Sequence, residues 1–167
     1  GLKYLFPLFA FALGVLIAEQ IQHKYKYAKR LHWRQGILGA EIIILFIVGF
    51  IPQRGNMIAT VLVSFACAMQ VQSFRKVNGF SYASTMCIGN LRSGTAALSF
   101  YLRERRPEQL RQAMYYLGII VLFAIGAGIG GNLSANYGIH MIWVSCGLLI
   151  VSFLLMFLDI EARRSRA

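Results

Sequence analysis

Four positions combine a polar side chain with surroundings that do not suit it. Glu41 is the sole charged residue in the apolar stretch from Gly36 to Ile51. A carboxyl group at membrane depth is costly unless it is protonated, paired or facing water. Glu41 therefore reads either as an ion- or proton-coupling group or as a carboxyl hydrated by snorkelling at the cytoplasmic end of a short helix. Gln70 lies deep in the apolar stretch from Asn56 to Phe74, where its amide needs partners. It can line a solute path or bond a neighbouring helix. Asn90 and Arg92 lie between Gly79 and Leu102, a segment rich in Ser, Thr and Gly. A broken helix turning at Gly89 and Gly94 would expose backbone groups able to hold ions or polar solutes. Arg92 would then attract an anion or pair with Glu41. The alternative is a kinked spanning helix whose small residues simply pack.

Other reactive residue types form no constellation. Cys67, Cys87 and Cys146 all sit in hydrophobic runs without CxxC spacing, which suits small buried side chains. His23, His32 and His140 are scattered, with no HExxH pattern, and no Ser/His/Asp or Cys/His arrangement stands out. No metal, cofactor or catalytic residue is expected, and the chain is not read as an enzyme. Gly126, Gly128, Gly130 and Gly131 crowd one apolar run. No strand precedes them, as a nucleotide loop would require. Gly126 and Gly130 have GxxxG spacing, which predicts close helix packing.

The elements that must position these groups are hydrophobic helices. The chain has 167 residues, 57% hydrophobic and only 14% charged, with a mean hydropathy of +0.59. Its apolar runs compare with the roughly 20 residues that a spanning helix needs. Helices are expected over 2–21, 36–51 (extending back towards Trp33, with Pro52 as the stop), 56–74, 112–131 and 137–158. The fold class is therefore all-α integral membrane: five spanning helices plus one re-entrant or broken polar segment over 79–102.

The net charge of +11 could suggest nucleic acid. The basic residues, however, occupy short loops between apolar runs, the pattern of cytoplasmic loops beside anionic lipid. Fourteen of the seventeen Lys and Arg fall in four places: Lys24, Lys26, Lys29, Arg30 and Arg34; Arg75 and Lys76; Arg103, Arg105, Arg106 and Arg111; and Arg163, Arg164 and Arg166. If 79–102 crosses the membrane, these divide seven to each side and no bias remains. If it enters and leaves on one side, all fourteen are cytoplasmic, which the positive-inside rule prefers. The C-terminus is then cytoplasmic. A re-entrant segment also implies a polar interior to cover it.

A weak internal repeat accompanies this topology. Phe11-Ala12-Leu13-Gly14 matches Phe123-Ala124-Ile125-Gly126 at an offset of 112, and Tyr4, Leu5 and Ile17 match Tyr116, Leu117 and Ile129. The expected organisation is the end of a first membrane repeat over 1–55, a second repeat over 56–160 and a basic cytoplasmic tail over 161–167. The repeats would be inverted 3+3 units, a recurrent transporter design.

Ala66-Cys67-Ala68-Met69-Gln70, then Arg75, then Ile88-Gly89-Asn90-Leu91 resemble the YoaK-like family of bacterial multi-pass membrane proteins, a domain of unknown function. The Phe-x-x-Gly pattern of the two repeat helices recurs there as well. Ala68 stands where the family has Gly, Val71 where it has Asn, Gln72 where it has Ala and Ile88 where it has Thr. The resemblance implies that roughly the first quarter of a full-length member, with a second T-G-N element, precedes Gly1. It sharpens fold and location more than activity. Together the features point to an inner-membrane transporter or channel-like protein for a small polar solute or ion. A non-transporting membrane subunit or scaffold, which the GxxxG surface and basic loops would serve and which could be a homo-oligomer, is the rival.

Overall fold

The computed structural model describes residues 2–25, 33–77, 80–81 and 87–164. Lys26, Lys29, Arg30, His32 and Arg166, which entered the charge and ligand arguments, lie outside the described residues, as do Ser84 and Thr85 of the polar segment. The chain folds as an all-α membrane protein, with six α-helices among the described residues: α1 (Leu5–Tyr25), α2 (Trp33–Val48), α3 (Asn56–Ser73), α4 (Cys87–Glu104), α5 (Pro107–Tyr137) and α6 (Ile142–Arg164). Four helices, namely α1, α3, α5 and α6, are long and apolar enough to cross a bilayer. The expected fifth span, α2, is equally apolar but has only 16 residues, roughly 24 Å of rise.

Between α3 and α4 the structure departs from expectation. Lys76–Val77 pairs antiparallel with Phe80–Ser81, Lys76 opposite Ser81 and Val77 opposite Phe80. Within the polar segment expected from Gly79, the described residues form one strand of that ladder, Phe80–Ser81, and the helix α4 from Cys87. From there α4 runs unbroken through Gly89 and Gly94 to Glu104.

The chain divides into two compact units, residues 1–73 with 133–167, and residues 74–132. In the first unit α2 is the central element. Ala18, Trp33, Ile37 and Met69 form one buried cluster joining α1, α2 and α3, with Phe65 and Ile44 packed against it. Leu45, Ala66 and Cys146 form a second, joining α2, α3 and α6. Trp33 is the first residue of α2 and lies buried in the first cluster.

α1 and α3 run parallel and close together. The buried face of α1 is Ala10, Gly14 and Ala18, three small residues one helical turn apart. A Cβ on Gly14 would lie 2.6 Å from the Phe65 carbonyl oxygen and 2.8 Å from the Ala68 Cβ. Only glycine permits that approach. The shared wall continues to Gln72, whose amide donates a hydrogen bond to the Glu19 carboxylate.

α2 and α6 run antiparallel, and α6 completes the end of α2. Helix α2 stops at Val48, four residues before Pro52, which cannot continue it. The last carbonyls of a helix lack intrahelical donors. Here the Trp143 indole N–H donates to the Phe46 carbonyl at 3.3 Å and His140 Nδ1 bonds the Gly49 carbonyl at 2.9 Å. The Trp143 ring lies so close to Gly49 that any Cβ there would collide with it. Phe46 and Phe50 pack around the same indole, with ring centroids 6.0 and 5.1 Å away.

In the second unit α4 and α5 form a helical hairpin. Gly94 is its point of closest approach: a Cβ there would lie 2.9 Å from the Tyr116 Cβ. Ala97, Ala113 and Tyr116 are buried. The corner uses Arg105 at φ 53, with its N–H bonded to the Tyr101 carbonyl at 2.8 Å, and Pro107 as the first residue of α5. This is a left-handed C-terminal cap followed by proline at the first helical position.

Candidate functional site

Glu41 projects from the interior face of α2. Ile37, Leu38, Glu41, Leu45 and Val48 recur at spacings of three and four and are all buried. Glu41 is only 3% exposed, and its Oε2 has no hydrogen-bond partner among the described residues. Ala66 of α3 and Cys146 of α6 pack against Leu45, one turn along α2 from Glu41. Cys146 itself leans towards the Ile42 carbonyl, 3.9 Å from Sγ. A carboxyl group thus sits where three helices of the first unit converge. The snorkelling alternative, which needs the carboxyl to reach water, does not match this burial.

A second polar group on α2 shares the predicament. Gln35 is 4% exposed and its Nε2 has no partner among the described residues. Sequence reasoning passed over Gln35, although a carboxamide in the first turn of an apolar helix was the available signal. It also passed over Glu19, whose partner Gln72 comes from another helix and cannot be read locally.

The remaining expected site residues separate. Gln70 is half-buried on α3 and shares the first unit with Glu41. Asn90 and Arg92 belong to the second unit. Asn90 is buried within α4, whereas Arg92 is exposed on it. The four are two pairs, each within its own unit. Gly89 and Gly94 are not a re-entrant turn: both lie inside α4, because the helix hydrogen-bond ladder continues through them. Gly89 is exposed with open space beside it, and Gly94 serves contact with Tyr116. Gly126 and Gly130 correct a second expectation. Among the described residues no heavy atom comes within 4 Å of a Cβ built on either. Among the described residues the close approaches occur at Gly14, Gly49, Gly55 and Gly94 instead.

Among the described residues no three His, Cys, Asp or Glu side chains come together as a metal site. What the arrangement can do is hold a proton or a small cation on a buried carboxyl group. A carboxylate so placed carries a large desolvation cost, and either charge partner removes it.

No curated protein and no solved structure matches the chain. One family does, over residues 1–155. The YoaK-like resemblance is consistent with that match. The chain belongs to the family described as a protein of unknown function, DUF1275.

Proposed function

We propose that this chain is part of a bacterial inner-membrane transporter or channel-like protein for a small polar solute or ion, with its C-terminus and basic loops in the cytoplasm. The observation that carries the reading is Glu41: a carboxyl group 3% exposed, on an apolar helix, with an oxygen left without a partner among the described residues. Intramembrane ionisable groups mark ion and proton pathways by default. Glu41 supplies coupling or charge balance. Gln70 and Asn90 supply hydrogen bonds to solute, and Arg92 attracts anions. The basic loops face anionic lipid and not nucleic acid. The reading assigns no catalytic reaction and no cofactor. A topology that keeps both ends of 79–102 on the cytoplasmic side collects the arginines and lysines on one face.

The test is flux into liposomes containing the purified protein, measured for protons, alkali cations and a panel of polar metabolites. Wild-type protein moves at least one of them, and Glu41→Gln, which keeps shape but removes the ionisable group, abolishes the dependence of that flux on pH. Equal flux and equal pH dependence in the variant remove Glu41 from the mechanism. The second reading, a non-transporting subunit or scaffold, is favoured by the exposed apolar face of α5 around Gly126 and Gly130. It wins if nothing in the panel moves.

A further inference from the structure

The second unit contains a groove that none of the expected site residues accounts for. It lies between α4 and α5 on the corner side of the Gly94 contact and has a volume of about 400 Å³. Pockets for small molecules occupy roughly 300–1,000 Å³. Its walls carry Ser93, Phe100 and Glu104 from α4 and Gln109, Gln112 and Tyr116 from α5.

The groove follows from the packing. Gly94, Ala97 and Ala113 allow the two helices to touch at Tyr116. The groove lies between that contact and the corner at Arg105. Polar residues line it, whereas the α5 surface after Tyr116 is almost wholly apolar.

The lining has a definite chemistry. It offers a hydroxyl from Ser93, two carboxamides from Gln109 and Gln112, each both donor and acceptor, and the rings of Phe100 and Tyr116. The single formal charge, on Glu104, is already paired with Arg106 at 3.0 Å. Arg103 is drawn aside over the Phe100 ring, 4.9 Å from its centroid. Among the described residues, none that lines the groove is a cation able to hold a phosphate or a carboxylate, and its one carboxylate is the paired Glu104.

We infer that the α4–α5 groove binds a small uncharged polyhydroxylated solute, of the size of a monosaccharide or polyol. Its hydroxyls meet the Gln109 and Gln112 amides and the Ser93 hydroxyl. Its C–H face lies on the Phe100 ring. This deepens the transport reading by naming a solute class, but binding is measured apart from flux, so the two fail separately.

The experiment is a thermal-shift and calorimetric titration of the full chain in detergent with glucose, sorbitol, glycine, inorganic phosphate and putrescine. Glucose or sorbitol stabilises the wild type, and glycine, phosphate and putrescine do not. Gln109→Ala with Gln112→Ala weakens binding at least tenfold, and Ala96→Trp, which fills the groove from an exposed position, abolishes it. If neither polyhydroxylated probe binds, or if a charged probe binds better, the assignment is overturned. Binding that survives both groove variants places the solute elsewhere and overturns it equally. Binding intact in a protein that shows no flux would sink transport alone.

Discussion

Helices α1 and α5 carry the same short pattern, Phe11-Ala12-Leu13-Gly14 and Phe123-Ala124-Ile125-Gly126, yet their glycines are used differently. Gly14 is buried against α3, with the Phe65 carbonyl 2.6 Å from where its Cβ would be. Gly126 is exposed and meets nothing within 4 Å among the described residues. GxxxG spacing marks the second site and not the first, where Ala10 and Ala18 flank the glycine. A small residue permits close packing but does not cause it. The cause is a facing helix whose own surface is complementary, and in α3 that surface is Phe65, Ala68 and Met69.

The comparison can be broken by adding side chains to both sites. Gly14→Leu has the largest expected effect. Its first obstacle is backbone, which cannot swing aside, so overpacking should cost about 1–3 kcal/mol or more. Thermal unfolding in detergent checks it, and an unchanged transition would mean that α1 and α3 are not packed as described.

Gln72→Ala comes next and sharpens the comparison, because it weakens the same α1–α3 wall without a steric clash. Losing the hydrogen bond to Glu19 should cost about 0.6 kcal/mol, the typical value for a polar contact between membrane helices. Combining it with Glu19→Ala should add little beyond the first change. Additive losses would show that the two side chains do not interact.

Gly126→Leu has the smallest expected effect on stability, within about 0.5 kcal/mol, as for a surface position. A loss as large as that of Gly14→Leu would reveal a packed face on α5 and remove the contrast. A shift to a smaller species in size-exclusion chromatography, with stability unchanged, would support the scaffold reading.

Much of the architecture was legible without coordinates. The helices begin and end close to where the apolar runs do: α3 at Asn56 as expected, and α2 starting at Trp33 and ending shortly before Pro52. The ladder at 76–81 was missed although Asn78-Gly79 between its strands is a strong hairpin signal. A long polar stretch with glycines looked like one irregular element and proved to hold one strand of that ladder and a regular helix. Gly89 and Gly94 were misjudged because glycine's weak helix propensity does not by itself break a helix: Gly94 is held by its contact with Tyr116, and Gly89 is carried within the same helix. Glu41 was found because charge in an apolar run is a local anomaly. Gln35 was missed because it lies near a helix end, where polarity is ordinary.

The sequence by itself determined that this is a helical membrane protein and where most of its helices lie. Hydropathy sums over neighbouring residues, so that information is contained in each stretch. Only the tertiary structure decided which glycines are contact points, that α6 closes the end of α2, that Glu41 is buried, and that a polar groove lies between α4 and α5. Those facts depend on which faces of distant helices meet, and facing pairs such as Gly14 with Phe65 or Gly49 with Trp143 are set by complementary shape across the fold.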